Sequence, residues 1–122
     1  MNLKELVQWQ WDGYVNYHLS RVNLLIHIIA VPLFILGAVS SLLALVNFNF
    51  GILIISILLM AVSIGVQGFG HAKEKLPAVP FSGPLNTLTR IFLEQLFTFP
   101  KFVISGRWYV ALRNDSQHPS GS

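Results

Sequence analysis

The chain contains no cysteine, which excludes disulfide staples and thiolate-based metal sites. Charge is also scarce. Asp, Glu, Lys and Arg make up 11% of its 122 residues, less than half of the about 25% usual for a soluble domain. From Val22 to Ala72 there is no charged residue at all, and the three Trp and three Tyr also lie outside that run. Such a run can cross a bilayer twice, at about 20 apolar residues per crossing. A secretory leader is not expected, because the first apolar run begins only at Val22, is too long, and has no small-residue cleavage site.

The polar residues are gathered at the ends of this run. Asn47-Phe48-Asn49 is its only turn-like interruption, so the sequence predicts an all-α membrane protein built on a hairpin of two transmembrane helices, about 22–46 and 50–70. All eight Lys and Arg flank the run and none lies in the turn. The positive-inside rule then places both termini on the cytoplasmic side, at the inner membrane if the source is bacterial. The net charge of +3 fits this topology and requires no nucleic acid partner.

Residues 3–17 mix Leu3, Leu6 and Val7 with Lys4, Glu5 and Asp12, the pattern of a helix lying in the membrane interface. Ser20 is a candidate N-cap for the first span, and Pro32 leaves the Ile28 carbonyl without its helical donor. Gly65, Gly68 and Gly70 would permit close backbone approach in the second span. Pro77, Pro80 and Pro84 break the chain, after which amphipathic or membrane-dipping helices are expected over about 84–112. Thr87, Arg90, Glu94 and Thr98 share a face there, with Arg90 and Glu94 as an ordinary i,i+4 pair and Pro100 ending or kinking the helix. Residues 1–113 read as one membrane-embedded helical domain and 114–122 as a flexible tail, whose His118 belongs to no site.

Two short segments carry the chemistry. Tyr17 to Pro32 contains His18, Asn23 and His27 as HxxxxNxxxH, and Gln67 to Ala78 contains Gln67, His71 and Glu74 as QxxxHxxE. His27 and His71 both fall about 30 Å from the turn at 1.5 Å per residue, so an antiparallel hairpin holds them at one depth. His18 can join them only if the chain bends near Ser20. Neutral imidazoles suit Fe, Zn, Cu or Ni, and Asn23 and Gln67 are placed to orient the histidine across from each of them. Glu74 could supply an oxygen ligand, a general base, or a partner for Lys73 or Lys75. The plainer alternative makes the histidines and amides hydrogen-bonding groups between helices.

The pattern YHxxxxNxxxHxxxxP at Tyr17 to Pro32, then QxxGH at Gln67 to His71 with the following Glu and Pro77-Ala78, resembles the membrane-bound 2-hydroxy fatty acid dioxygenases of fatty acid α-oxidation. Leu88 to Trp108 is similar to the small bacterial branch. The resemblance implies an iron(II) (Fe2+) enzyme that shortens 2-hydroxy fatty acids by one carbon with dioxygen, with His18, His27 and His71 as ligands and Glu74 as a candidate fourth. Lys73, Lys75 or Arg90 would attract the substrate carboxylate, and the acyl tail would lie among membrane lipids. The competing classes are a zinc-dependent lipid hydrolase on the same histidines and a metal-free structural membrane protein.

Overall fold

The computed structural model describes residues 1–115, and among these every regular element is helical. Helix α1 (Leu3–Gly13) passes through a 3-10 turn (Tyr14–Tyr17) and a short bend into α2 (Arg21–Val46). A tight reversal leads to α3 (Phe50–His71), and an irregular segment then leads to α4 (Pro84–Leu93). A π-helical turn (Glu94–Thr98) joins α4 to α5 (Phe99–Ile104), and α6 (Arg107–Asp115) follows.

Local chemistry sets the boundaries. The side chains of Asn2, Ser20 and Asn49 accept from backbone N–H groups at the starts of α1, α2 and α3, each satisfying a donor that the helix itself leaves open. Phe48 makes the reversal between the long helices with φ 54°. Helix α2 runs unbroken through Pro32.

Helices α2 and α3 are long and apolar enough to cross a membrane. Their outer faces carry Ile29, Leu36, Leu42, Ile54, Ile55, Leu58 and Val62, each more than half exposed, a surface that suits lipid and not water. Of the three glycines expected at a helix contact, only Gly70 is tight: a Cβ there would run into Asn23 Oδ1, whereas Gly65 and Gly68 face open space. Gly37 supplies the other close approach, since its Cβ would lie 2.9 Å from the Ser56 carbonyl oxygen.

The apolar core sits toward the open end of the hairpin, where Tyr14, Leu24, Val31, Phe99, Phe102 and Ala111 pack together. Trp108 Nε1 donates to the Leu24 carbonyl at 3.0 Å and ties α6 to α2. Burying Phe99 and Phe102, each at most 2% exposed, contributes about 1.5–3 kcal/mol apiece. Pro100, expected to end or kink the helix, does not end it: the chain continues helically through it, with its turn widened just before the proline. Phe99 N–H reaches back to the Glu94 carbonyl, and Pro100 has no N–H to offer a tighter ladder.

Candidate metal centre

Three histidines from three parts of the chain meet at this end of the hairpin. His18 caps the 3-10 turn with non-helical φ −136° and ψ 58°, so the chain bends between it and α2 and turns its ring inward. His27 projects from α2, and His71 is the last residue of α3. Their ring centroids are 4.7, 4.9 and 5.0 Å apart. His18 Nδ1 lies 2.8 Å from the Tyr14 carbonyl oxygen, and His27 Nδ1 lies 3.0 Å from that of Asn23. A carbonyl only accepts, so each Nδ1 carries a proton and each Nε2 is turned inward, able to offer a lone pair to a cation or to take a second proton. The Tyr14 ring stacks on His18 at 3.8 Å and 14°.

A carboxylate completes the cluster. Glu94 Oε2 lies 3.2 Å from His18 Nε2 and 3.5 Å from His27 Nε2, and the same oxygen accepts from the Tyr14 hydroxyl at 2.7 Å. His18 Nε2, His27 Nε2 and His71 Nδ1 are buried without a hydrogen-bond partner. One ligand atom from each of the four residues falls within 4.8 Å of all the others. Burial pushes the Glu94 carboxyl up, but His18 and His27 beside it bring it well below the usual carboxylate range. Burial and the adjacent carboxylate push the Tyr14 phenol up, so it remains a neutral donor. Lone pairs and an anion converging in a largely buried site repel one another unless a cation stands among them. Protons on the imidazoles could supply that charge, and so could a metal ion, for which an N3O donor set is suitable.

Beside the cluster opens a cavity of about 550 Å³. Tyr14, His18, His71 and Glu94 contribute to its wall, as do Ile64 on α3 and Arg90 on α4. The volume is that of a small-molecule site.

The sequence family described as 2-hydroxy-palmitic acid dioxygenase Mpo1-like matches residues 5–100. The chain belongs to this family. No curated protein and no solved structure matches it. The matched region contains all four residues of the Mpo1-like chain's cluster and ends before α6 begins.

Set against the sequence, the Mpo1-like chain brings His18, His27 and His71 together but places Glu74 elsewhere. Its Oε1 accepts from Leu19 N–H at 2.9 Å, both of its oxygens lie within 3.1 Å of the Ser20 nitrogen, and Oε2 accepts from Asn23 Nδ2 at 2.7 Å. Glu74 therefore fastens the bend that turns His18 inward. It lies off the face of His71 because α3 ends at His71 and the chain turns, with Glu74 N–H bonded to the His71 carbonyl. Glu94 occupies the carboxylate position, in place of the expected pairing with Arg90. Its signal in the sequence was being the sole acid between Pro84 and Arg113, since an acid in an apolar segment needs a reason to be there.

The two amides also act differently from expectation. Neither side chain hydrogen-bonds to a histidine; backbone carbonyls hold His18 and His27 instead. Gln67 forms a reciprocal pair with Gln95 at 2.8 and 2.7 Å and also donates to Ser63 Oγ at 3.0 Å. Ser63 in turn donates to the Ala30 carbonyl at 2.6 Å. This buried chain ties α2 and α3 to the π turn that carries Glu94. Gln95, not singled out from the sequence, is fully buried. Of the three basic residues considered for substrate, Arg90 lines the cavity and Lys73 and Lys75 do not. His118 lies outside the described residues.

Proposed function

We propose that this chain is an iron(II)-dependent dioxygenase that shortens 2-hydroxy fatty acids by one carbon. One observation carries the reading: three buried, unpartnered imidazole nitrogens and the Glu94 carboxylate converge within the segment that matches the dioxygenase family. His18, His27, His71 and Glu94 would hold the ion. Iron(II) bound there would supply redox reactivity toward dioxygen beside the hydroxyl-bearing carbon of the substrate.

The chain's own groups prepare that site. The Tyr14 and Asn23 carbonyls fix the tautomers of His18 and His27, the Tyr14 hydroxyl holds Glu94 by its inward oxygen, and Phe99, 5.7 Å from the His27 ring, helps keep water out. Overall the reaction balances with one dioxygen: the 2-hydroxy acid yields the acid one carbon shorter, carbon dioxide and water. The four electrons lost by C1 and C2 are those dioxygen takes up. We place α2 and α3 across the bilayer with both termini cytoplasmic, so that the acyl tail stays among lipids while its head group reaches the cluster.

The test is oxygen uptake by the purified chain loaded with iron(II) or zinc under reducing conditions. Iron with 2-hydroxyhexadecanoic acid should give uptake and pentadecanoic acid. Zinc, which cannot change oxidation state, and hexadecanoic acid, which lacks the hydroxyl, should give neither. Turnover with zinc, or without oxygen, refutes the reading.

A further inference from the structure

We propose that Arg90 is the carboxylate-binding residue of the cavity and recognises the ionised head group of a long-chain acid beside the histidine cluster. The assignment rests on the dioxygenase reading for the identity of the acid, but its geometry stands apart from it. The guanidinium is fixed before any ligand arrives. Nη1 donates to the Pro80 carbonyl at 3.1 Å and to Asn86 Oδ1 at 3.4 Å, and Nη2 donates to the Val79 carbonyl at 2.9 Å. Trp9 and Phe81 also hold it, with Cζ 5.0 and 4.5 Å from their ring centroids.

These partners are all neutral. Among the described residues no carboxylate comes within salt-bridge distance of Arg90, and Glu94 Oε2 lies instead against His18 and His27. A guanidinium has five N–H donors. Three are occupied by the contacts above, leaving two and the full positive charge. A pinned arginine on a pocket wall, with no carboxylate bonded to it, is suited to an anion, and its fork matches the two oxygens of a carboxylate.

Position supplies the rest. The Glu94 N–H bonds to the Arg90 carbonyl, so the two residues stand one α-helical turn apart on the same face, with Cβ atoms about 5–6 Å apart. A 2-hydroxy acid carries its carboxylate and hydroxyl on adjacent carbons. With the carboxylate engaged by Arg90, the hydroxyl-bearing carbon lies toward the cluster, and the apolar wall at Ile64 is left for the tail. Lys73 is no competitor, because its ammonium lies 4.9 Å over the exposed Phe69 ring, off the cavity.

The experiment measures binding to the full chain in phosphatidylcholine nanodiscs under nitrogen, where no turnover occurs. Tryptophan fluorescence, to which Trp9 contributes from its stack on Arg90, gives the readout, with empty nanodiscs subtracted. The probes are 2-hydroxyhexadecanoic acid, its methyl ester and hexadecyl phosphate. Wild type should prefer the acid to the ester by about ten- to a hundredfold, the range of a hydrogen-bonded charge in a protected site. Arg90→Gln should bind the acid as weakly as the ester, with ester binding unchanged, and Arg90→Lys should keep part of the preference.

Equal binding of acid and ester by wild type overturns the proposal, as does no binding of the acid. Tighter binding of hexadecyl phosphate than of the acid overturns the assignment to a carboxylate. The acid-versus-ester comparison needs no substitution, so a variant that fails to fold does not affect it. Iron-dependent oxygen uptake reports separately on the dioxygenase reading. Acid preference without uptake would refute that reading and leave Arg90 assigned, whereas uptake with an unchanged KM in Arg90→Gln would do the reverse.

Discussion

Replacing Glu94 and Glu74 by glutamine separates the two carboxylates that compete for the fourth position of the cluster. Glu94→Gln keeps the side chain's size and an acceptor for the Tyr14 hydroxyl, but removes the negative charge 3.2 and 3.5 Å from the facing imidazole nitrogens. Two unit charges about 4 Å apart interact by about 4 kcal/mol at an effective dielectric of 20. That figure is a lower bound for a divalent ion in direct contact with the carboxylate, and it corresponds to about a thousandfold loss of metal affinity. Glu74→Gln keeps one oxygen to accept from Leu19 and Ser20 and loses mainly a favourable charge at the start of α2, worth about 1 kcal/mol of stability. Metal affinity should then fall by less than tenfold. Competition against a chromophoric chelator, with Co(II) as a redox-stable probe, measures both. If Glu74→Gln weakens metal more than Glu94→Gln does, the four-residue centre derived above is wrong and the carboxylate next to His71 in sequence is the ligand.

Gln95→Leu should strand the Gln67 amide in a buried site and lower stability by about 1–3 kcal/mol, while the double variant with Gln67→Leu should recover much of that loss; thermal denaturation in detergent measures it, and an additive double variant would show that the pair is not a unit. Both termini are expected on the cytoplasmic side, so a reporter active only in the cytoplasm should work when fused at either end. Activity at one end and silence at the other would require an odd number of crossings and defeat the hairpin topology.

The hairpin was legible because it depends on composition alone: Val22 to Ala72 has no charge, and Asn47 to Asn49 is the one place to turn. The meeting of His27 and His71 followed from helical rise, and that of His18 from the need for a bend near Ser20. Glu94 was not legible because it depends on a long-range return of the chain and on a π turn. Counted along an ordinary helix, its nearest partner is Arg90. Glu74 misled for the opposite reason, since local spacing put it beside His71 while the end of α3 turned it toward the bend. The Gln67–Gln95 pair could not be seen from one helix, because half of it arrives from a segment 28 residues away.

The groups that aim His18 and His27 are main-chain oxygens, those of Tyr14 and Asn23, and this changes where the site is vulnerable. A side-chain scan has nothing to delete at those two acceptors: any residue brings the same oxygen, so the tautomer lock is insulated from substitution at the positions that provide it. The weak points move to the continuity of the turns themselves. One residue inserted or removed between Tyr14 and His18, or between Asn23 and His27, would re-aim an imidazole while leaving every ligand in place. Losses of function in such chains are therefore expected to arise from shifts of register as readily as from loss of a histidine.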